Sequence, residues 1–183
     1  MKIRESNLGK DHPETAVTYN NIAGVYKAKG EYDRALVYYL KALEVKETKL
    51  GKDHPDTATT YNNIAGVHYA KCEYDKALDY HKKALEIREV KLGKDHPDTA
   101  TTYNNIAGVH YAKGEYDNAL DFFVKAIKIW LNRDCRHPDA KLYFDNVKLC
   151  YNESKKKQPF EDWMKGQLDD NEWVAFLKLM KGE

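Results

Sequence analysis

Twenty-two consecutive residues, Leu50 to Lys71 (LGKDHPDTATTYNNIAGVHYAK), recur without one change at Leu92 to Lys113. A looser copy begins at Leu8, and Tyr19, Tyr61 and Tyr103 stand 42 positions apart. A segment repeated at a fixed period folds into the same small unit each time. No unit of that size buries its own apolar face, so the units must stack. The chain is a tandem array, and its function has to be read from a surface.

Composition removes several classes of function. Thirty Lys and Arg face 29 Asp and Glu, a formal net charge of +1, so no global field draws the chain to nucleic acid or to an anionic membrane. Cys72, Cys135 and Cys150 are odd in number and share no metal-ligand spacing, which points to reduced, structural thiols. The opening MKIRESNLGK has no apolar segment of the signal-peptide kind, and no run of about eighteen apolar residues occurs. The expectation is a soluble, cytoplasmic protein. Asn152, Glu153 and Ser154 spell a glycosylation sequon, a coincidence in that compartment.

Within one period, Tyr61, Ile64, Ala65 and His68 keep helical spacing. After a break, Tyr74, Ala77, Leu78, His81, Ala84, Leu85 and Ile87 continue it. Two amphipathic helices per repeat follow. The first begins at Asp-His-Pro-Asp, with Pro55 at the first helical position and Asp56 at the positive helix end, and it stops near Lys71. Gly30, Cys72 and Gly114 occupy the turn. The second helix spans about Tyr74 to Lys91 and ends at Leu92-Gly93, where glycine accepts a left-handed conformation. Asp79 with Lys83, and Asp121 with Lys125, are four apart and mark its solvated face. Ala23, Ala35, Ala42, Ala65, Ala77, Ala84, Ala107, Ala119 and Ala126 mark close helix approach, where a bulkier residue would cost roughly 1 to 3 kcal/mol.

The ends are irregular. Residues 2–9 align with Glu86 to Gly93, and residues 1–9 read as the second helix of an incomplete repeat or an N-terminal cap. Full repeats are expected at 10–51, 52–93 and 94–135, then a degenerate partial repeat at 136–153 and a linker with an amphipathic helix at 154–183. In that last helix Trp173, Phe176, Leu177 and Met180 form one stripe.

The spacing of Tyr61, Ile64, Ala65, His68, Ala77, His81 and Ala84 resembles that of the tetratricopeptide repeat. The usual period is about 34 residues; the longer period here, the Leu-Gly-Lys-Asp-His-Pro turn and Tyr-Asn-Asn-Ile-Ala resemble the kinesin light chain subtype. The resemblance implies an all-α fold: a right-handed superhelical solenoid of antiparallel helix pairs, its first helices lining a concave groove, with a C-terminal capping helix.

By that resemblance Asn21, Asn63 and Asn105, with Asn146 as a fourth rung, form a ladder along the groove, flanked by Asn20, Asn62 and Asn104. A carboxamide both donates and accepts, so a ladder of them can hold an extended peptide by its main chain. Gly24, Gly66 and Gly108 keep the floor low, and Lys27, Tyr69 and Tyr111 rim it. The alternative is structural, with the asparagines bonded between repeats.

His12, His54, His96 and His137 are one turn position copied and held apart, and His68 and His81 fall at positions resembling the family's buried aromatics, so no metal site is expected. Neither a phosphate loop nor a nucleophile elbow nor a paired His-Glu zinc motif is present. The expectation is a non-catalytic scaffold without cofactor that binds a protein or peptide. Homotypic stacking through open array ends is the alternative. Another is a regulatory role for the tail, where Trp163 and Trp173 sit beside acids and could enter the groove as an internal ligand.

Overall fold

The computed structural model describes residues 12–182, so the reading of residues 1–9 lies outside the described residues. The described residues form nine α-helices and no strand. They are α1 (Pro13–Ala28), α2 (Tyr32–Lys49), α3 (Pro55–Ala70), α4 (Tyr74–Lys91), α5 (Pro97–Ala112), α6 (Tyr116–Arg133), α7 (Pro138–Glu153), α8 (Phe160–Lys165) and α9 (Asp170–Lys181). The fold is all-α, built of consecutive antiparallel helix pairs, as the spacing predicts. The chain divides into two compact units, residues 1–93 and 94–183.

Local chemistry sets the helix limits. Each repeat's first helix has proline at its start and histidine as N-cap: Nδ1 of His12, His54, His96 and His137 accepts from the backbone N–H two residues on, at 3.1–3.2 Å. The copied histidines are thus caps, which requires each to carry its proton on the other ring nitrogen. Thr57 adds a bond from its hydroxyl to the Gly51 carbonyl at 2.9 Å. The second helices close at Gly51 (φ +99°) and Gly93 (φ +95°), whose N–H groups turn back to the Lys46 and Arg88 carbonyls.

The turn inside each pair carries a defect in the second repeat. Gly30 and Gly114 take φ values of +76° and +77°, and Cys72 takes +59° at the same place. A side chain in the left-handed region costs about 1–2 kcal/mol, less the extra chain entropy glycine loses on folding. Cys72→Gly is therefore expected to stabilise the protein by about 0.5–1 kcal/mol, read as a higher urea midpoint.

In the first unit α1 packs on α2, α2 on α3 and α3 on α4. The core holds Tyr39, Leu43, Tyr61, Ile64, Val67 and Ile87. In the second unit α6 packs on α5, α7 and α9. All nine alanines picked out by spacing are 0 % exposed. Lys46 is buried too, and its ammonium staples α2 to α3 through the Asp56 carbonyl (3.0 Å) and the Thr60 hydroxyl (3.1 Å). The Tyr61 hydroxyl donates to Glu47 across the same junction.

Two expected surface pairs are arranged differently. Lys83 lies over the rings of Tyr61 and Tyr80, 5.8 and 5.2 Å from their centroids, and Lys125 lies over Tyr103 and Phe122 at 5.8 and 4.9 Å. A ring face beside the lysine stem attracts the ammonium and covers its methylenes, whereas an exposed i,i+4 acid adds only about 0.2–0.5 kcal/mol.

The tail forms the cap that closes the second unit. Met164 and Phe176 are fully buried, and Phe176 lies 5.4 Å from the Phe144 ring and 6.2 Å from the Phe160 ring. Trp163 packs on Tyr151 and Trp173 on Phe176, with centroids 5.0 and 5.3 Å apart. Asp169 and Glu172 make a reciprocal capping box at the start of α9. Glu172 is buried and also meets Lys128 (3.1 Å) and Asn132 (3.0 Å) of α6.

Candidate functional site

The paired asparagines of each first helix point two ways, because neighbours on a helix are about 100° apart. In the first unit the Asn62 carboxamide is buried, and its Oδ1 lies 2.6 Å from Nδ1 of His81, which donates the hydrogen bond. In the second unit Asn104 Oδ1 accepts from Nδ2 of Asn146 at 2.9 Å. Asn62, Asn104 and Asn146 thus bond within the protein. Asn20 is half-buried, with an Oδ1 that has no partner among the described residues.

The second member of each pair differs. Asn21 is exposed, Asn63 and Asn105 are half-buried, and their carboxamides form no hydrogen bond among the described residues. An amide left at the edge of solvent with its donor and acceptor unspent is equipped to bind another chain.

The rim residues vary with the repeat. A Cβ built on Gly66 would meet Nζ of Lys27 at 2.6 Å, so the lysine lies directly on the floor between α1 and α3. Burial pushes the Lys27 ammonium below the usual lysine range, and no ion pair compensates it among the described residues. A Cβ on Gly108 would meet nothing within 4 Å. Tyr69 and Tyr111 sit at the repeat turns, packed on Tyr74 and Tyr116 with centroids 5.8 and 5.6 Å apart.

His81 is the residue whose importance spacing alone does not reveal. Burial, then the charges of Lys27 and Arg88, push it down to about 4, so it is neutral at neutral pH. It thereby carries Asn62 without adding charge beneath the surface on which Asn63 stands. His68 and His110 are occupied elsewhere: their Nδ1 atoms pair with Glu73 and Glu115 at 2.7 and 2.6 Å, and their rings stack on Tyr80 and Phe122. The His68 contact, followed by Lys76, holds the Glu73 carboxyl down near 2.

No group of three or more His, Cys, Asp or Glu among the described residues could hold a metal ion. None of their helices is long and apolar enough to cross a membrane.

Comparison with known proteins agrees with the helical-repeat fold. The family model described as tetratricopeptide repeat matches residues 1–48, 14–89 and 56–132. The structure is similar to BtubC (BKLC) from P. vanneervenii, with a TM-score of 0.75 and 22% identity over 98% of this chain and 67% of that one. It is similar to a kinesin light chain-type protein of nearly identical TPR-like repeats from Podosopora anserina, at a TM-score of 0.71 and 16% identity over 97% of this chain and 82% of that one. The N-terminal domain of stress-induced protein-1 from C. elegans aligns at a TM-score of 0.57 and 17% identity over 78% of this chain and 97% of that one. No curated protein sequence matches.

Proposed function

The chain belongs to the tetratricopeptide repeat family, and from that premise we propose that it is a non-catalytic scaffold that grips an extended peptide segment of a partner protein through the second asparagine of each pair. The family supplies the coarser part of this reading, a protein–protein interaction scaffold.

One observation carries the finer part. Asn21, Asn63 and Asn105 recur at the repeat spacing with unspent carboxamides, while their neighbours Asn62 and Asn104 are used inside the protein. An extended strand presents a free N–H and C=O at each residue, and a carboxamide answers both. Main-chain gripping gives affinity without regard to sequence, and the variable rim gives selectivity: Lys27 in the first repeat, Tyr69 and Tyr111 in the next two. Asn62 and Asn104 serve as supports that set the orientation of the helix face.

Replacing Asn63 and Asn105 by alanine removes two grips of about 1 kcal/mol each, so binding of a captured peptide is expected to weaken roughly 10- to 30-fold. The melting temperature should stay nearly unchanged, since both carboxamides lack hydrogen-bond partners among the described residues. If the variants melt early and still bind, the asparagines are structural and the proposal fails. Asn62→Ala is the control, because it strips a buried partner from His81 and is expected to lower stability.

A further inference from the structure

A cleft of about 440 Å³ lies wholly within the first unit, bordered by the second helices α2 and α4 with α3 beneath. Leu36 and Leu40 come from α2, Ile64 and His68 from α3, and Tyr80 from α4. The cleft is turned away from the asparagine row: five positions at about 100° each place His68 about 140° round α3 from Asn63. Its size falls within the range of about 300–1,000 Å³ typical of ligand clefts. Leu40 in its wall is 47% exposed. The second repeat carries Lys82 at the same position, so the helix itself does not call for an apolar residue there.

His68 brings a polar atom to this apolar cleft. The residue is 8% exposed, its Nδ1 lies 2.7 Å from the Glu73 carboxylate, and its ring stacks on Tyr80 with centroids 5.5 Å apart. A carboxylate only accepts, so Nδ1 carries the proton, and in the neutral ring Nε2 is left as an acceptor. Nε2 makes no hydrogen bond among the described residues, yet it is not sealed from solvent. The cations lining the cleft are already engaged: Lys76 is held by Glu73 at 3.1 Å, and Lys83 lies over the Tyr61 and Tyr80 rings at 5.8 and 5.2 Å. The exposed Asp79 carboxylate beside them disfavours an anionic ligand.

We propose that this cleft binds a phenolic group, its ring against Leu36, Leu40 and Tyr80 and its hydroxyl donating to Nε2 of His68. The bare Nε2 calls for a donor, and the leucine and tyrosine walls call for an apolar body. A planar ring supplies that body with few rotatable bonds to freeze. A free small phenol and the tyrosine side chain of another protein share this chemistry. The site is independent of peptide gripping, and the two readings fail separately.

The test is an NMR titration of the full chain with p-cresol, toluene and p-cresol methyl ether, at about pH 8, above the range where imidazoles ordinarily titrate. Of the three ligands p-cresol alone carries a donor. It is expected to bind roughly 3- to 10-fold tighter than the others, the worth of one hydrogen bond, with saturable shifts at the Leu36, Leu40 and Ile64 methyls and at Nε2 of His68. Leu40→Lys, which copies the second repeat, should weaken all three by about threefold or more. His68→Phe should level the three affinities, which lost packing alone would not do. Should that variant unfold, the Nε2 shift in the native chain reads the same bond. N-acetyltyrosinamide separates the sources: binding as tight as that of p-cresol assigns the cleft to a partner's tyrosine, and weaker binding assigns it to a free phenol. Equal affinity of p-cresol and its methyl ether for the native chain, or no saturable shift within the cleft, overturns the proposal.

Discussion

Acidification from pH 6.5 to pH 4 is expected to strip on the order of 3 kcal/mol from the first unit through His81 alone, at about 1.4 kcal/mol per unit of pH. The sign follows from the two states. Unfolded, the imidazole titrates near its ordinary value of 6.5; folded, burial and the charges of Lys27 and Arg88 hold it down to about 4. Between those values the unfolded chain binds more protons, so stability rises with pH there and falls as acid is added. Above the window the histidine is neutral in both states and contributes no slope. The groups facing it are Lys27 of α1, Asn62 of α3 and Arg88 of α4, so an imidazolium would keep the Asn62 acceptor it already has and meet two cations.

The check is the urea midpoint at about pH 7, 6, 5 and 4, spanning the window, for the native chain and for His81→Phe. The array recommends that substitution, since Phe123 holds the equivalent position in the third repeat and Tyr39 in the first. The variant is expected to begin lower at neutral pH, because Asn62 loses its donor, and then to lack the decline across the window. Glu73, whose folded carboxyl is held near 2, loses its contribution only below the ordinary carboxylate value of 4.5, so its effect falls outside most of the window. A variant that declines as steeply as the native chain would remove His81 as the cause.

Phe176→Ala is expected to be the most damaging single change in the second unit, at about 3–5 kcal/mol. The ring is 0 % exposed and touches three others, Phe144, Phe160 and Trp173. Its loss leaves a cavity under the helix that also carries the Glu172 contacts to Lys128 and Asn132. Thermal unfolding by circular dichroism reads it. A cap that seals an apolar end must behave so, because arrays otherwise expose the face of their last repeat. A nearly unchanged melting temperature would mean that the tail is a loosely held segment and not part of the core.

Much of this architecture is legible from the period. The alanines have to be buried because helices that approach closely leave no room for larger groups, and the proline and glycine marks give the helix limits. The copied histidines are legible as a turn but not as caps, since capping preference rests on Ser, Thr, Asp and Asn, and a ring nitrogen reaching the N–H two residues on is a rarer solution. Lys83 and Lys125 turn to aromatic rings and not to the acids four residues before them. Each lysine has a ring three residues before it on its own helix, Tyr80 or Phe122, and a second from the adjoining helix, Tyr61 or Tyr103, which spacing within one helix does not reveal.

The asparagine pairs show most clearly where local information ends. Asn62 and Asn63 are chemically identical and adjacent, and each repeat offers the same choice. By itself the sequence determined the repeat, the helices and the presence of carboxamides at one spacing, because propensity, capping and apolar periodicity all act within a few residues. Tertiary structure alone decided which amide turns inward. The deciding partners are His81, 19 positions from Asn62, and Asn146, 42 positions from Asn104, brought within hydrogen-bond range only when the helices pack.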